Sequence, residues 1–482
     1  MIGLNVSCHN RRVNPISRLP AACPRDPEIQ CKSEIPGSRG QAAGSRQSSL
    51  PGDCDRIRLN HYQQLMLRFS RLAPYNAIHS VLMTQETFDP VLLQQAVHQA
   101  VLTLGLGRPH FSADFQQVEF SPPTEAIRIE SSEVSLVLHI ETEMNRAFAL
   151  DDLPVRFFVI VEDSRYYFSL TYDHWIGDAY SVSRLMGMIF SYMNAQKIPE
   201  LTLAAPSIEA CFQSIYKKRT LFYRYVGVIQ SFFRFSSAFR TSINDETQTE
   251  SGCQLYCFEK EMLSQLRVIC KAQSITLNDL FLTVLARIFG QVTEEQRANL
   301  KAKRFKPKRD RIVIAVITNI RNKSQFSLST IFGLFLGFFY LSFKSPEQTS
   351  LKDLSQTIHK KTQKAKSKHS AIKQYLLFKV QRNRWDRCKQ KSKYRLFSKT
   401  TPITVGLSNL DLNQSEAALA DSAHHYVRVS PTSMVCPIVF NLTTFNDTLF
   451  LGINFRKVCY TIAVIEQMKQ AFVAQLNEMI QE

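Results

Sequence analysis

The chain has 482 residues, more than the ~250–300 at which a single hydrophobic core stops growing, so two core-bearing lobes are expected. Its 44% hydrophobic and 21% charged content, with 33 Phe, excludes disordered, collagen-like and coiled-coil classes. With 59 Lys+Arg against 41 Asp+Glu the net charge is +18, which calls for an anionic partner: nucleic acid, an acidic membrane surface, an acidic carrier protein or a phosphorylated cofactor.

Residues 1–54 are rich in Pro, Gly, Ser, Arg and Cys without apolar periodicity, which predicts a disordered extension. The opening MIGLNVSCHNRRVNP lacks the apolar stretch of a secretory signal, and the eleven scattered cysteines show no paired metal-binding spacing, so reduced thiols, no metal and a cytoplasmic location are expected. Cys253 and Cys257, the one close pair in the folded part, are read as incidental. From Arg56 the texture changes. LNHYQQLMLRFSRL reads as a helix, YNAIHSVLM as a strand and Leu92–Leu104 as a second helix. AIRIE and SLVLHIE read as short strands. VRFFVIVED and YYFSLTYD read as a hairpin turning at Ser164 and Arg165, running into HWIGDAYS and a further helix. Leu221–Arg240 interleaves aromatics with Arg224, Arg234 and Arg240; it fits either an inter-lobe core helix or an amphipathic helix on lipid headgroups.

A second lobe is expected from about Cys253. Leu277 onward is a helix announced by Thr276 and Asp279 in capping-box spacing. RIVIAVITNIR is a β run ending at Arg321. Ile331–Phe343 is too short to cross a membrane and reads as a buried strand with its turn. TPITVGLSNL, PIVFNLTTF and TLFLGINF are further strands before a terminal helix, and His424 and His425 are placed on an exposed loop. The fold class is therefore α/β with mixed sheets. Its expected divisions are residues 1–54 (extension), 55–205 (first lobe), 206–250 (connector) and 251–482 (second lobe).

The charge is local. Lys360–Lys399 holds fifteen Lys/Arg and one acid, Asp386, and Lys301–Arg311 holds seven basic residues and Asp310, leaving the rest close to neutral. That argues against a nucleic-acid-coating role for the whole chain. The longer block also carries Tyr375, Phe378, Trp385 and Tyr394, a texture shared by nucleic-acid and membrane-surface segments as well as by solvated helix faces.

The motif that carries chemistry is His174-Trp-Ile-Gly-Asp178. As a bare pattern it is weak, since His110 and Asp114 make a second match; its place between a β run and a helix sets it apart. Strand-HxxxD-helix, a β run ending in Arg321, then GLSNL in a late strand together resemble the CoA-dependent acyltransferase superfamily, over roughly residues 56–482. That superfamily includes chloramphenicol acetyltransferase, peptide-synthetase condensation domains and wax ester synthases. The resemblance implies two chloramphenicol-acetyltransferase-like lobes with a tunnel between them, and acyl transfer from a thioester to a hydroxyl or amine. It implies His174 as general base, Asp178 and Arg321 as a supporting pair, Trp175 and Gly177 shaping the channel, and Ser408 and Asn409 near the oxyanion.

It also implies no permanently bound cofactor, with acyl-CoA or acyl-phosphopantetheine as substrate. An acyl carrier protein or an anionic membrane would dock through Lys360–Lys399. Two departures stand out: Asp173 replaces the first of two histidines common in such chains, and Ala179 replaces a common glycine, a strained choice if that position needs positive φ. The alternatives are a catalytically degenerate, condensation-like binding protein and a basic nucleic-acid-binding protein.

Overall fold

The computed structural model describes residues 56–481 except 85–87, 204–207, 214, 216–234, 244, 246, 301–307, 391, 394–402, 414–416 and 434. The expected extension, most of Leu221–Arg240, the start of the Lys301–Arg311 block and the end of the Lys360–Lys399 block lie outside the described residues.

The first half opens with β1 (Ile57–Arg58) and α1 (His61–Ser70), whose cap Asn60 accepts from the backbone of Tyr62 and Gln63. It continues through β2 (Asn76–Met83), α2 (Pro90–Leu104), β3 (Arg108–Phe111), β4 (Gln117–Ser121), β5 (Ile129–Ser132) and α3 (Leu136–Asn145). It ends in β6 (Val155–Glu162), β7 (Arg165–Asp173) and α4 (Ala179–Met193). The second half holds β8 (Ser251–Cys257), α5 (Lys260–Ala272), α6 (Leu277–Val292), β9 (Arg311–Asn319), β10 (Leu336–Lys344), α7 (Leu351–Ser367) and α8 (Ser370–Asp386). β11 (Val405–Asp411), β12 (Ala423–Val429), β13 (Ile438–Phe445), β14 (Thr448–Arg456) and α9 (Ile462–Gln481) close the chain.

Two mixed sheets carry the molecule, in the orders β12-β2-β7-β6-β5 and β10-β9-β11-β13-β14-β8, beside a small β1-β4-β3 sheet. One apolar core gathers α1, α2 and α4 on the five-stranded sheet, and a second gathers α5, α6 and α9 on the six-stranded one. The capping box at Thr276 and Asp279 forms as read, and the buried Asp279 carboxylate also holds His359 and Thr362 of α7 at 2.8 and 2.6 Å. No single helix among the described residues is long and apolar enough to cross a membrane.

Three readings change. SLVLHIE is not a strand but the start of α3: Ser135 accepts from Leu138 N, and the buried residues Leu136, Ile140 and Met144 recur every four positions while Leu138 is exposed. The β6–β7 turn is Asp163-Ser164, one residue earlier than expected; both have positive φ (49° and 60°), as a two-residue type I′ turn demands. His424 and His425 lie on β12, not in a loop, and β12 pairs antiparallel with β2, so a strand from the second half completes the sheet of the first.

The helical reading of α3 separates two substitutions that a strand would treat alike, because Leu138 and Ile140 would then share a face. Ile140→Ala is expected to cost about 2–5 kcal/mol and Leu138→Ala under about 0.5 kcal/mol, measured by denaturant unfolding.

Candidate active site

β7 delivers His174 to the mouth between the two main sheets. The His174 backbone N–H donates to Tyr75 O at 3.2 Å, and the ring Nδ1 donates to Gly177 O at 3.0 Å. A carbonyl can only accept, so Nδ1 carries the ring proton and Nε2 keeps its lone pair. Burial brings the imidazole down to about 4, with the Gly177 carbonyl and Asp178 opposing only part of that shift, so the ring is neutral at physiological pH.

Asp178, one helical turn on, is occupied on both oxygens. Oδ1 caps α4 by accepting from Ser181 N at 2.9 Å; Oδ2 accepts from Arg321 Nη1 at 2.6 Å and from Phe335 N at 2.7 Å. Arg321 sits in a 3-10 turn just after β9. Its Nη2 donates to Ser181 Oγ and Gly333 O, and its plane lies over the Tyr180 and Phe335 rings at 4.7 and 4.8 Å. Gly333 O also accepts from Asp178 N and Ser181 Oγ. The expected pair thus meets, buried, and joins the His174 loop to the second half, with both oxygens of Asp178 engaged in structural hydrogen bonds.

His174 lines a cavity of about 880 Å³ including its open mouth, with Tyr75 and Tyr180 from the first half and Phe338, Ser408 and Asn409 from the second. Trp175 and Gly177 are not among its lining residues, a correction to their expected place. Trp175 points to the other side of the loop, packing between Phe111 and Phe120 at the edge of a second cavity of about 820 Å³, while Gln63 Nε2 donates to its carbonyl. Gly177 backs onto Phe332, whose ring carbons would lie 3.1 Å from any added Cβ. Ala179 begins α4 without positive φ, so the missing glycine costs no backbone strain there.

The second match, His110 and Asp114, is exposed and separated: His110 bonds Ser121 and Asp114 bonds Ser112 and Gln116. Sequence reading missed Arg428, which lies on β12 in the cavity wall, and the buried His79, whose Nδ1 is 2.6 Å from Tyr426 OH. A strand reading of HHYVRV would have found both partners on β12, but the inward Arg428 and half-buried Val427 hide the alternation.

The geometry belongs to a known type of fold. No protein-family model and no curated protein matches the sequence. Solved structures do match: the first condensation domain of the CDA synthetase (TM-score 0.64, 12% identity, 88% of this chain and 96% of that one) and the epimerization domain from the third module of tyrocidine synthetase B (0.59, 12%, 91% and 98%). The condensation domain from the Monacolin K polyketide synthase MokA also matches (0.57, 10%, 88% and 96%). The chain has the fold of these condensation and epimerization domains, the fold implied by the sequence resemblance.

Two substitutions test the site's construction. Asp178→Asn leaves the Arg321 cation buried without its counter-charge and is expected to cost about 3–5 kcal/mol in denaturant unfolding. Asp173, beside His174, has an unpartnered Oδ1; burial pushes its carboxyl up to about 7, and hydrogen bonding from Ser70 and Trp175 offsets only part of that. The unfolded carboxyl releases its proton near 3.8, so from there to pH 7 the folded state binds more protons and stability falls as pH rises. His174 acts oppositely: between pH 6.5 and about 4 the unfolded ring takes the extra proton, and stability falls as pH drops. Asp173→Asn removes the first effect alone. Its stability relative to wild type is expected to rise between pH 5 and pH 8 by on the order of 3 kcal/mol, measured by urea unfolding across that range.

Proposed function

We propose that the protein is an acyltransferase that moves an acyl group from a thioester, on CoA or on a carrier protein's phosphopantetheine, to a hydroxyl or amine. One observation carries this reading: His174 is neutral, locked by Gly177 O into the tautomer with a free Nε2, and set in the wall of a cavity between two sheets. As the acceptor's lone pair attacks the thioester carbonyl, its O–H or N–H proton passes to Nε2. The tetrahedral oxyanion then collapses, the C–S bond breaks, and the imidazolium returns the proton to the departing thiolate. Ester or amide and free thiol leave, and no covalent enzyme intermediate forms. Asp178 and Arg321 hold the loop, and Ser408 and Asn409 face the cavity where the oxyanion would form.

The donor's carrier would dock on α7 and α8. Lys360, Lys364, Lys366, Lys379, Arg384 and Arg387 are exposed there, whereas the aromatics Phe378 and Trp385 are buried. Phe378 stacks on Tyr62 at 4.2 Å and Trp385 packs on Phe69 at 5.3 Å. With those two rings turned inward, the described residues of the block offer charge more than a stacking surface, which suits an acidic carrier protein or anionic surface better than single-stranded nucleic acid.

Wild type and His174→Ala should be compared on a panel of short- and medium-chain acyl-CoA and acyl-pantetheine thioesters with alcohols and amines, following released thiol. Loss of the base is expected to lower the rate by about 10²–10⁴-fold. Equal rates would leave the degenerate, ligand-binding alternative in its place.

A further inference from the structure

Behind the His174 loop, on the side to which Trp175 points, lies a small pocket with a buried carboxyl group in its floor. Asp173 ends β7, is 5% exposed, and has no hydrogen-bond partner on Oδ1. Its backbone N–H donates to Pro154 O and its carbonyl accepts from Ile176 N, each at 3.1 Å, so the residue is pinned at the base of the loop. Burying a carboxyl group without a full set of donors is costly, because nothing replaces the water it loses. Burial pushes Asp173 up to about 7; hydrogen bonding from Ser70 and Trp175, and then the charge of Arg156, pull the other way without cancelling it. Arg156 is itself matched by Glu143 at 2.8 Å.

The pocket has a volume of about 350 Å³ including its open mouth, at the low end for ligand sites, which suits a small molecule. Leu67, Pro109, Phe111 and Phe148 give it apolar walls, and Arg71 and Asp152 stand exposed at its rim. It shares no lining residue with the cavity that holds the His174 ring. Asp152 accepts from Ala149 N at 2.8 Å, and the Arg71 guanidinium lies 5.2 Å over the ring of Phe115, which is not part of the lining. With Asp173 ionised the lining holds two acids against one base, an acidic pocket in a chain of net charge +18.

One carboxylate in the floor of an apolar pocket selects a ligand that is cationic at one end and hydrocarbon at the other. The donor set does not suit a hard metal ion, which asks for about six or more oxygen ligands. Among the described residues no group of three or more His, Cys, Asp or Glu could hold one. We propose that the pocket binds a small primary amine, its ammonium donating to the Asp173 carboxylate and its carbon chain lying along Leu67, Pro109 and Phe111. The contact forms away from bulk water, so each partner favours the charged form of the other. Binding therefore draws Asp173 to its ionised form, and below about pH 7 it must release the proton that the empty pocket holds. The occupant touches the residue immediately before His174, which couples amine binding to the loop that Asp178 and Arg321 fix. Nothing in this site requires that acyl transfer occur.

Isothermal calorimetry on the full chain, with n-butylammonium chloride as the probe and buffers free of primary amines, tests the site. Wild type is expected to bind at pH 8 and about tenfold more weakly at pH 6, where two buffers of different ionisation enthalpy should report about 0.9 proton released per ligand. Asp173→Asn is expected to bind at least about tenfold more weakly than wild type at pH 8 and to release no proton at pH 6. No binding by wild type, equal binding by the two proteins, or an absence of proton release by wild type at pH 6 overturns the proposal. n-Butanol binding as tightly as the ammonium also overturns it and assigns a purely apolar pocket. Magnesium chloride binding alone, with the same loss in Asp173→Asn, overturns it in favour of an inorganic cation. Should Asp173→Asn fail to fold by thermal melting, Ala149→Trp at the exposed rim takes its place. That variant is expected to weaken binding by at least about tenfold through blocking the mouth, and unchanged binding overturns the proposal.

Discussion

The arrangement of His174 at the cavity depends on one buried ion pair. Asp178 and Arg321 come from opposite halves of the chain, and between them Ser181, Gly333 and Phe335 fill nearly every remaining donor and acceptor. An ion pair of this kind adds little over a well-packed apolar pair, since desolvation offsets most of its attraction. What it supplies is position. The carboxylate caps α4 and so fixes where the loop ends; the loop in turn aims His174 and presents Gly177 O to its Nδ1. The guanidinium fixes the turn after β9 and the start of β10, so both walls of the cavity are set by the same contact.

Charge is handled differently at three depths. On the exposed faces of α7 and α8 cations stand in water, and Asp386, the one acid of the block, pairs with Arg68 of α1 at 2.7 Å. At the loop the buried cation is matched. At Arg428 it is buried, with only neutral acceptors among the described residues. Net charge could report only the first of these, because a single uncompensated guanidinium is invisible within +18.

The mixed sheets follow from alternating strand and helix runs, and the resemblance carried by the order of features implied the meeting of Asp178 with Arg321. What escaped did so for local reasons. SLVLHIE alternates apolar residues as a strand does, yet its serine caps a helix and the deeper pattern has a period of four. Trp175 was placed at the channel by the resemblance, but the turn after β7 sends its ring to the other side, between Phe111 and Phe120. Arg428 was missed because an arginine at an inward position breaks the hydrophobic alternation that identifies a strand.

β12 has a consequence for how the molecule is made. The first half emerges from the ribosome with β2 as an edge strand, apolar and almost wholly buried in the finished structure, and its partner lies some 340 residues downstream. Until Ala423–Val429 is synthesised, that edge has open backbone donors and acceptors, a template for wrong pairing with another nascent chain. The two sheets are thus coupled in biogenesis as well as at the cavity they share. A fragment ending before β12 carries an unfinished sheet, and the strand that finishes it is the same one that brings Arg428 to the cavity.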